Sequence, residues 1–270
     1  MTEHDEGRRS ISLEVEVPGT PQEVWEAIAT GPGISAWFVP SEVDEREGGN
    51  VVFHLGPDMD APGTVTGWCP PERFAYEEQW APAADTEPTT LATEFLVEAR
   101  SGGTCIVRLV STFSAGGFDD DLDAMATGWT AFLDNLRLYL THFRGRPSAA
   151  VSLAGASPEA KAVAWAAMLD ALGLTAPVAG ARVRTAEASG APALTGIVER
   201  AGDDELLIRT CDALASLAAF EWDGRTTTVF RAACFGPAPE ALAVREAEVW
   251  GGWMQQYFPS QATDAEAHGS

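Results

Sequence analysis

The stretch from Asp119 to Arg144 constrains this chain more than any other. Its apolar residues Leu122, Met125, Ala126, Trp129, Phe132, Leu133, Leu136, Leu140 and Phe143 recur at intervals of three and four. That period marks a helix with one apolar face. Asp119, Asp120 and Asp121 put negative charge at its start, and Arg144 with Gly145 closes it. A helix of about 25 residues runs about 37 Å, enough to cross a whole sheet. Its apolar face therefore needs a broad partner.

The preceding residues supply one. Residues 11–17, ISLEVEV, alternate strictly and place Ile11, Leu13, Val15 and Val17 on one side of a strand. Thr20, Pro21 and Glu23 form a capping-box pattern with proline at the first helical position, opening the helix PQEVWEAIA. Gly31-Pro32-Gly33 is expected to end that helix, and ISAWFV to form a short helical turn. The segments SEVDER, NVVFHL, GTVTGW, RFAYEEQW, TLATEFLVEAR and TCIVRLVSTF then read as strands. Their breaks fall at Gly48-Gly49, Pro57-Asp58, Pro70-Pro71, the Ala81 to Pro88 loop and Ser101-Gly102-Gly103. Strands in this rhythm suggest a meander. The order strand, two short helices, six strands, long helix predicts an α+β domain whose curved antiparallel sheet grips the helix.

With 270 residues the chain is better divided into two cores than packed around one. The 40 acidic residues outnumber the 17 basic ones, for a formal net charge of -23. Such a surface repels phosphate backbones and anionic headgroups, so neither nucleic acid nor membrane is expected as a partner. The opening MTEHDEGRRS carries charge where a signal peptide needs an apolar run, and a cytoplasmic location is expected. Cys69, Cys105, Cys211 and Cys234 stand singly without CxxC spacing. They read as small buried hydrophobes; no metal and no cofactor is expected.

TPQEVWEAIATGPGISAWFVP, Gly48-Gly49, GTVTGWCPPERFAYEEQW, SGGTCIVRLVSTF and GWTAFLDNLRLYL together resemble the SRPBCC superfamily, with its START-like and Bet v 1-like helix-grip fold. The branch they resemble most is that of the activator of Hsp90 ATPase, the AHSA1-like proteins. The resemblance spans residues 10–146. It implies a cavity where the start of the long helix lifts from the sheet.

Residues 148–258 read as a degenerate second copy or another α+β domain, after a linker at Gly145-Arg146-Pro147. AVSLAGASPEAKAVAWAAML parallels the first strand and helix, with Ser157-Pro158 in the place of Thr20-Pro21. APALTGIVER, ELLIRT, LASLAAFEW and TTTVFRAACF read as strands, the last two joined at Asp223-Gly224. PEALAVREAEVWGGWMQQYF is the closing helix, with Trp250, Trp253 and Tyr257 as its apolar stripe. This half is rich in alanine and shorter by a strand or two, and is expected to brace the chain or make a homodimer rather than bind ligand. Residues 259–270 are polar and read as a disordered tail.

No nucleophile or phosphate-binding motif is present. His54 falls on the outer face of its strand. Alternation in RFAYEEQW puts Phe74, Tyr76, Glu78 and Trp80 on one face, so a carboxylate stands among aromatics on the concave side. Desolvation there would raise its pKa, as general acids and bases require. Arg108, in CIVRLV, is the candidate counter-ion. Trp37, Phe38, Phe53, Trp80, Phe95, Met125 and Trp129 are the candidate ligand-binding residues alongside Glu78, with Phe132 expected in the core. The expected function is binding of a small hydrophobic or aromatic molecule. The alternatives are a polyketide cyclase or aromatase-like enzyme using Glu78, Arg108 or Tyr76, and an Hsp90 co-chaperone-like interaction; whether the protein is an enzyme stays open.

Overall fold

The computed structural model describes residues 9–56, 59–80, 88–113, 119–186, 190–222 and 224–259. The expected tail, the 81–87 loop, the Pro57-Asp58 break and the side chain of Leu122 lie outside the described residues. The chain divides into two compact units, Met1–Pro147 and Ser148–Ser270.

The first unit runs β1 (Arg9–Pro18), α1 (Pro21–Ala29), α2 (Gly31–Ser35), β2 (Ser41–Val43), β3 (Asn50–Gly56), β4 (Met59–Cys69), β5 (Arg73–Trp80), β6 (Thr89–Arg100), β7 (Thr104–Phe113) and α3 (Asp119–His142). Its strands form one antiparallel sheet in the order β1-β7-β6-β5-β4-β3-β2. This is the predicted meander, closed by pairing the first strand with the last. Residues that alternate inward pack as rows across the strands, and one row runs Phe74, Phe95, Leu109, Leu13. Phe74, Phe95 and Leu109 are buried, as are Leu133, Leu136 and Leu140 on α3.

Thr20 caps α1 as its pattern dictates: its hydroxyl accepts from the Glu23 backbone, and the Glu23 carboxylate accepts from the Thr20 backbone at 2.8 Å. Gly31-Pro32-Gly33, expected to end α1, instead opens α2. Thr30 is the reason, because its hydroxyl accepts from the Gly33 backbone at 3.0 Å and caps a second helix immediately after the first. A Cβ at position 33 would lie 1.9 Å from the Glu26 carbonyl oxygen, so only glycine permits this tight junction.

The second unit runs β8 (Ser148–Ser157), α4 (Lys161–Ala171), β9 (Arg182–Arg184), β10 (Thr195–Ala201), β11 (Glu205–Arg209), β12 (Ala213–Trp222), β13 (Arg225–Phe235) and α5 (Pro239–Tyr257). Its antiparallel sheet has the order β8-β13-β12-β11-β10-β9, again closed by first against last. The fold is thus α+β, with two antiparallel sheets and a C-terminal helix in each unit. Three details differ from expectation. Ser157-Pro158 caps nothing, since α4 starts at Lys161 behind Ala160, which makes no side-chain cap. Tyr257 is 38% exposed, whereas Trp250 and Trp253 are buried. Cys69 and Cys211 are exposed, while Cys105 and Cys234 are buried. No described helix is long and apolar enough to cross a membrane.

Candidate functional site

The concave face of the first sheet carries an aromatic layer beside a polar row. The polar row crosses three strands: Tyr76 of β5 faces Thr93 of β6, which faces Ser111 of β7. All three are buried. Tyr76 shares a hydrogen bond with the Thr93 side chain, whose hydroxyl lies 3.0 Å from that of Ser111. Buried hydroxyls need partners, and this chain supplies them internally.

Glu78 lies one row further along the same face, and its cross-strand neighbours are Gly63 on β4 and Leu91 on β6. Neither offers a polar side chain, and a Cβ at Gly63 would lie 2.6 Å from the Glu77 carbonyl oxygen, so glycine there permits close approach of the two strands. Glu78 has no hydrogen-bond or ion-pair partner among the described residues. Burial pushes its pKa up from 4.5 to about 7. Burial, and then the nearby Glu78 charge, also hold the Tyr76 hydroxyl well above its usual range.

The aromatic layer closes around a void of about 10 Å³ lined by Ile28, Ile34, Trp37, Phe38, Phe53, Tyr76, Phe95 and Trp129. That is about the space one water needs. Trp37 is anchored, its indole N–H donating to the Ala27 carbonyl at 2.9 Å. Phe38 stacks on Trp129 with centroids 5.4 Å apart and meets Phe132 edge-on at 4.5 Å. Trp129 also meets Phe95 edge-on at 5.9 Å, joining α3 to β6.

Trp37, Phe38, Phe53, Phe95 and Trp129 are therefore brought together around one space, with Tyr76 in its wall. Glu78 stands on the same face but outside the lining. Trp80 packs instead against Phe113, with centroids 5.0 Å apart, and Met125 is half-buried away from the void. Arg108 is not a counter-ion for Glu78. It sits between buried Val107 and Leu109, so strand alternation turns it outward, where its Nε bonds Glu14 of β1 at 2.6 Å. Sequence reasoning missed Ile28 and Ile34 as lining residues, although Ile28 was legible on the apolar face of α1. His54 is an outward strand residue; its Nδ1 lies 2.7 Å from Asp60, which raises its pKa. No cluster able to hold a metal occurs among the described residues.

This arrangement can place an apolar body against aromatic rings and a polar group near a partnerless carboxyl. Residues 18–141 match the family model described as activator of Hsp90 ATPase homolog 1-like protein. No curated protein matches the chain. Among solved structures, CalU16 from Micromonospora echinospora is 22% identical with a TM-score of 0.41, over 50% of this chain and 83% of that one. The Aha1 dimer from Colwellia psychrerythraea is 18% identical with a TM-score of 0.40, over 49% and 96%. The di-domain ARO/CYC BexL, from the BE-7585A biosynthetic pathway, is 14% identical with a TM-score of 0.44, over 94% and 99%. The family match covers residues 18–141, less than half of the chain, and makes that stretch similar to the activator of Hsp90 ATPase homolog 1-like family.

Proposed function

We propose that the first unit binds a small hydrophobic or aromatic molecule between its sheet and α3, with the ligand's polar end at Glu78 and Tyr76. The observation that carries this reading is Glu78 itself, a carboxyl on an apolar inward face with no partner among the described residues. Half-burial makes its charge costly, and a ligand N–H or O–H would supply the direct donor that the described residues do not. The rings of Phe38, Phe53, Phe95 and Trp129 supply the apolar wall that small molecules favour. A void of about 10 Å³ admits no such molecule as it stands, so a ring must move. Phe38 is that ring, because it is half-buried whereas every other lining residue is buried, and Trp37 beside it is tied to Ala27.

The test is titration of the full chain with N-phenyl-1-naphthylamine, a fluorescent apolar molecule with one N–H donor. Saturable binding is expected, weakened at least tenfold by Glu78→Leu and by Trp129→Ala. No saturable binding, or binding indifferent to both changes, refutes the reading.

A second reading, a cyclase or aromatase-like enzyme, is favoured by one observation. A carboxyl with a pKa of about 7 is present in both protonation states at neutral pH, as a general acid or base must be. Turnover of a reactive polyketide-type chain, lost in Glu78→Gln, would support it; turnover unchanged in that variant would refute it.

A further inference from the structure

A cavity larger than the void of the first unit lies in the second unit. It has a volume of about 230 Å³, against about 10–15 Å³ on the same measure for one water. It opens between α5 and the sheet, lined by Leu242, Arg245 and Glu246 from the helix and by residues of β9, β10, β12, β13 and the loop before β12.

Its origin is the alanine-rich spelling of this half. Inward rows of β12 and β13 pair Ala215 with Ala232 and Ala213 with Cys234, and only Phe230, paired with Leu217, is large among the β13 floor residues. In the first unit the inward row between β6 and β7 includes Phe95 against Leu109, both buried. Side chains truncated to methyl groups under a helix leave space that close packing would otherwise fill. The floor is nonetheless firm, since Phe230 is buried and stacks on Trp250 with centroids 3.9 Å apart.

The rim is polar and reaches solvent through Arg184, Thr195, Cys211 and Arg245. Its two carboxylates are answered from within: the Thr210 hydroxyl donates to Asp212 at 2.9 Å, and Arg245 donates to Glu246 at 3.0 Å. Arg245 reaches that one oxygen with its Nε and Nη2, and a guanidinium has five N–H donors. Two guanidiniums at one mouth stand out on a chain of net charge -23, which otherwise repels anions. Their fork suits a carboxylate.

We propose that this cavity is a second, separate binding site, and that it takes a small carboxylic acid with a compact apolar body. The hydrocarbon part rests on Ala213, Ala215, Phe230 and Ala232, and the carboxylate meets Arg184 and Arg245 at the rim.

The probe is 1-naphthoate, titrated calorimetrically into the full chain. Saturable binding is expected, at least tenfold weaker in Ala232→Leu, which refills the floor, and in Arg245→Gln. The neutral isostere 1-naphthalenemethanol is expected to bind at least tenfold more weakly than the acid, and Trp129→Ala in the first unit to leave naphthoate binding unchanged. Should Ala232→Leu fail to fold, the unaltered protein still decides: naphthoate is expected to slow alkylation of Cys211 by iodoacetamide at least fivefold and to leave Cys69 untouched. Absence of saturable binding, equal affinity for acid and alcohol, or loss of binding in Trp129→Ala overturns the proposal. Unprotected Cys211 under saturating naphthoate overturns it as well.

Discussion

Glu78→Gln keeps the shape of the side chain and removes its charge. In the folded protein burial raises the Glu78 pKa from 4.5 to about 7, so the fold holds this proton more tightly than the unfolded chain does. The contribution is therefore most favourable below about pH 4.5, and stability falls as pH rises through 7, where the buried carboxyl ionises. The difference, 7 - 4.5 = 2.5 in pKa, is worth about 3 kcal/mol once the group is ionised in both states, at about 1.4 kcal/mol per pKa unit. Solvent reaching the half-buried carboxylate reduces that figure, so it is an upper bound. The same linkage gives about 1 kcal/mol at pH 5.5 and about 3 kcal/mol at pH 8. The glutamine variant should then be more stable than the parent by about 2 kcal/mol more at pH 8 than at pH 5.5. Native-state hydrogen exchange on the β6 and β7 amides measures this within the first unit alone. A carboxyl ¹³C titration of Glu78 gives its pKa directly. An equal stability difference at both pH values, or a Glu78 that titrates near 4.5, refutes the reasoning about its burial.

Other consequences are open to measurement. Gly33→Ala forces a Cβ onto the Glu26 carbonyl and should destabilise the first unit by about 1–3 kcal/mol in urea unfolding, since neither backbone can yield cheaply. Thr20→Ala removes the hydroxyl half of the capping box, leaving the Glu23 carboxylate on the residue 20 backbone N–H, and should cost about 1 kcal/mol in the same assay. Asp60→Asn should lower the His54 pKa seen by NMR, because the Asp60 hydrogen bond is the main cause of its rise. That pair favours the fold below the ordinary histidine pKa and loses its effect as pH passes the raised one. Of the four thiols, Cys69 and Cys211 should react with a thiol reagent in the native protein at neutral pH; Cys105 and Cys234 should not, burial holding the Cys234 pKa up at about 11.

The amino-acid order alone determined the strands other than the short β9, the long helix and the inward direction of Glu78, because those properties follow from short periods along the chain. Alternation of two puts Phe74, Tyr76 and Glu78 on one face wherever that strand ends up, and recurrence at three and four does the same for Trp129, Leu133 and Leu136. Local chemistry likewise announced the Thr20 cap, though Thr30 hid a second one behind glycines that looked like a stop.

Other outcomes depend on residues far apart in the chain, and only the tertiary structure decided them. Arg108 found Glu14 rather than Glu78 because the register of β1 against β7 brings those two together across 94 positions. Phe38, on the turn after α2, joins Phe53, Phe95 and Trp129 from three separate elements, and the space left between them is a sum over their packing. The alanines of β12 and β13 read as wear in sequence, yet beneath α5 they become the floor of a cavity. A period can tell which way a side chain points; what it meets there, and how much room remains, is set by the surfaces that folding brings opposite it.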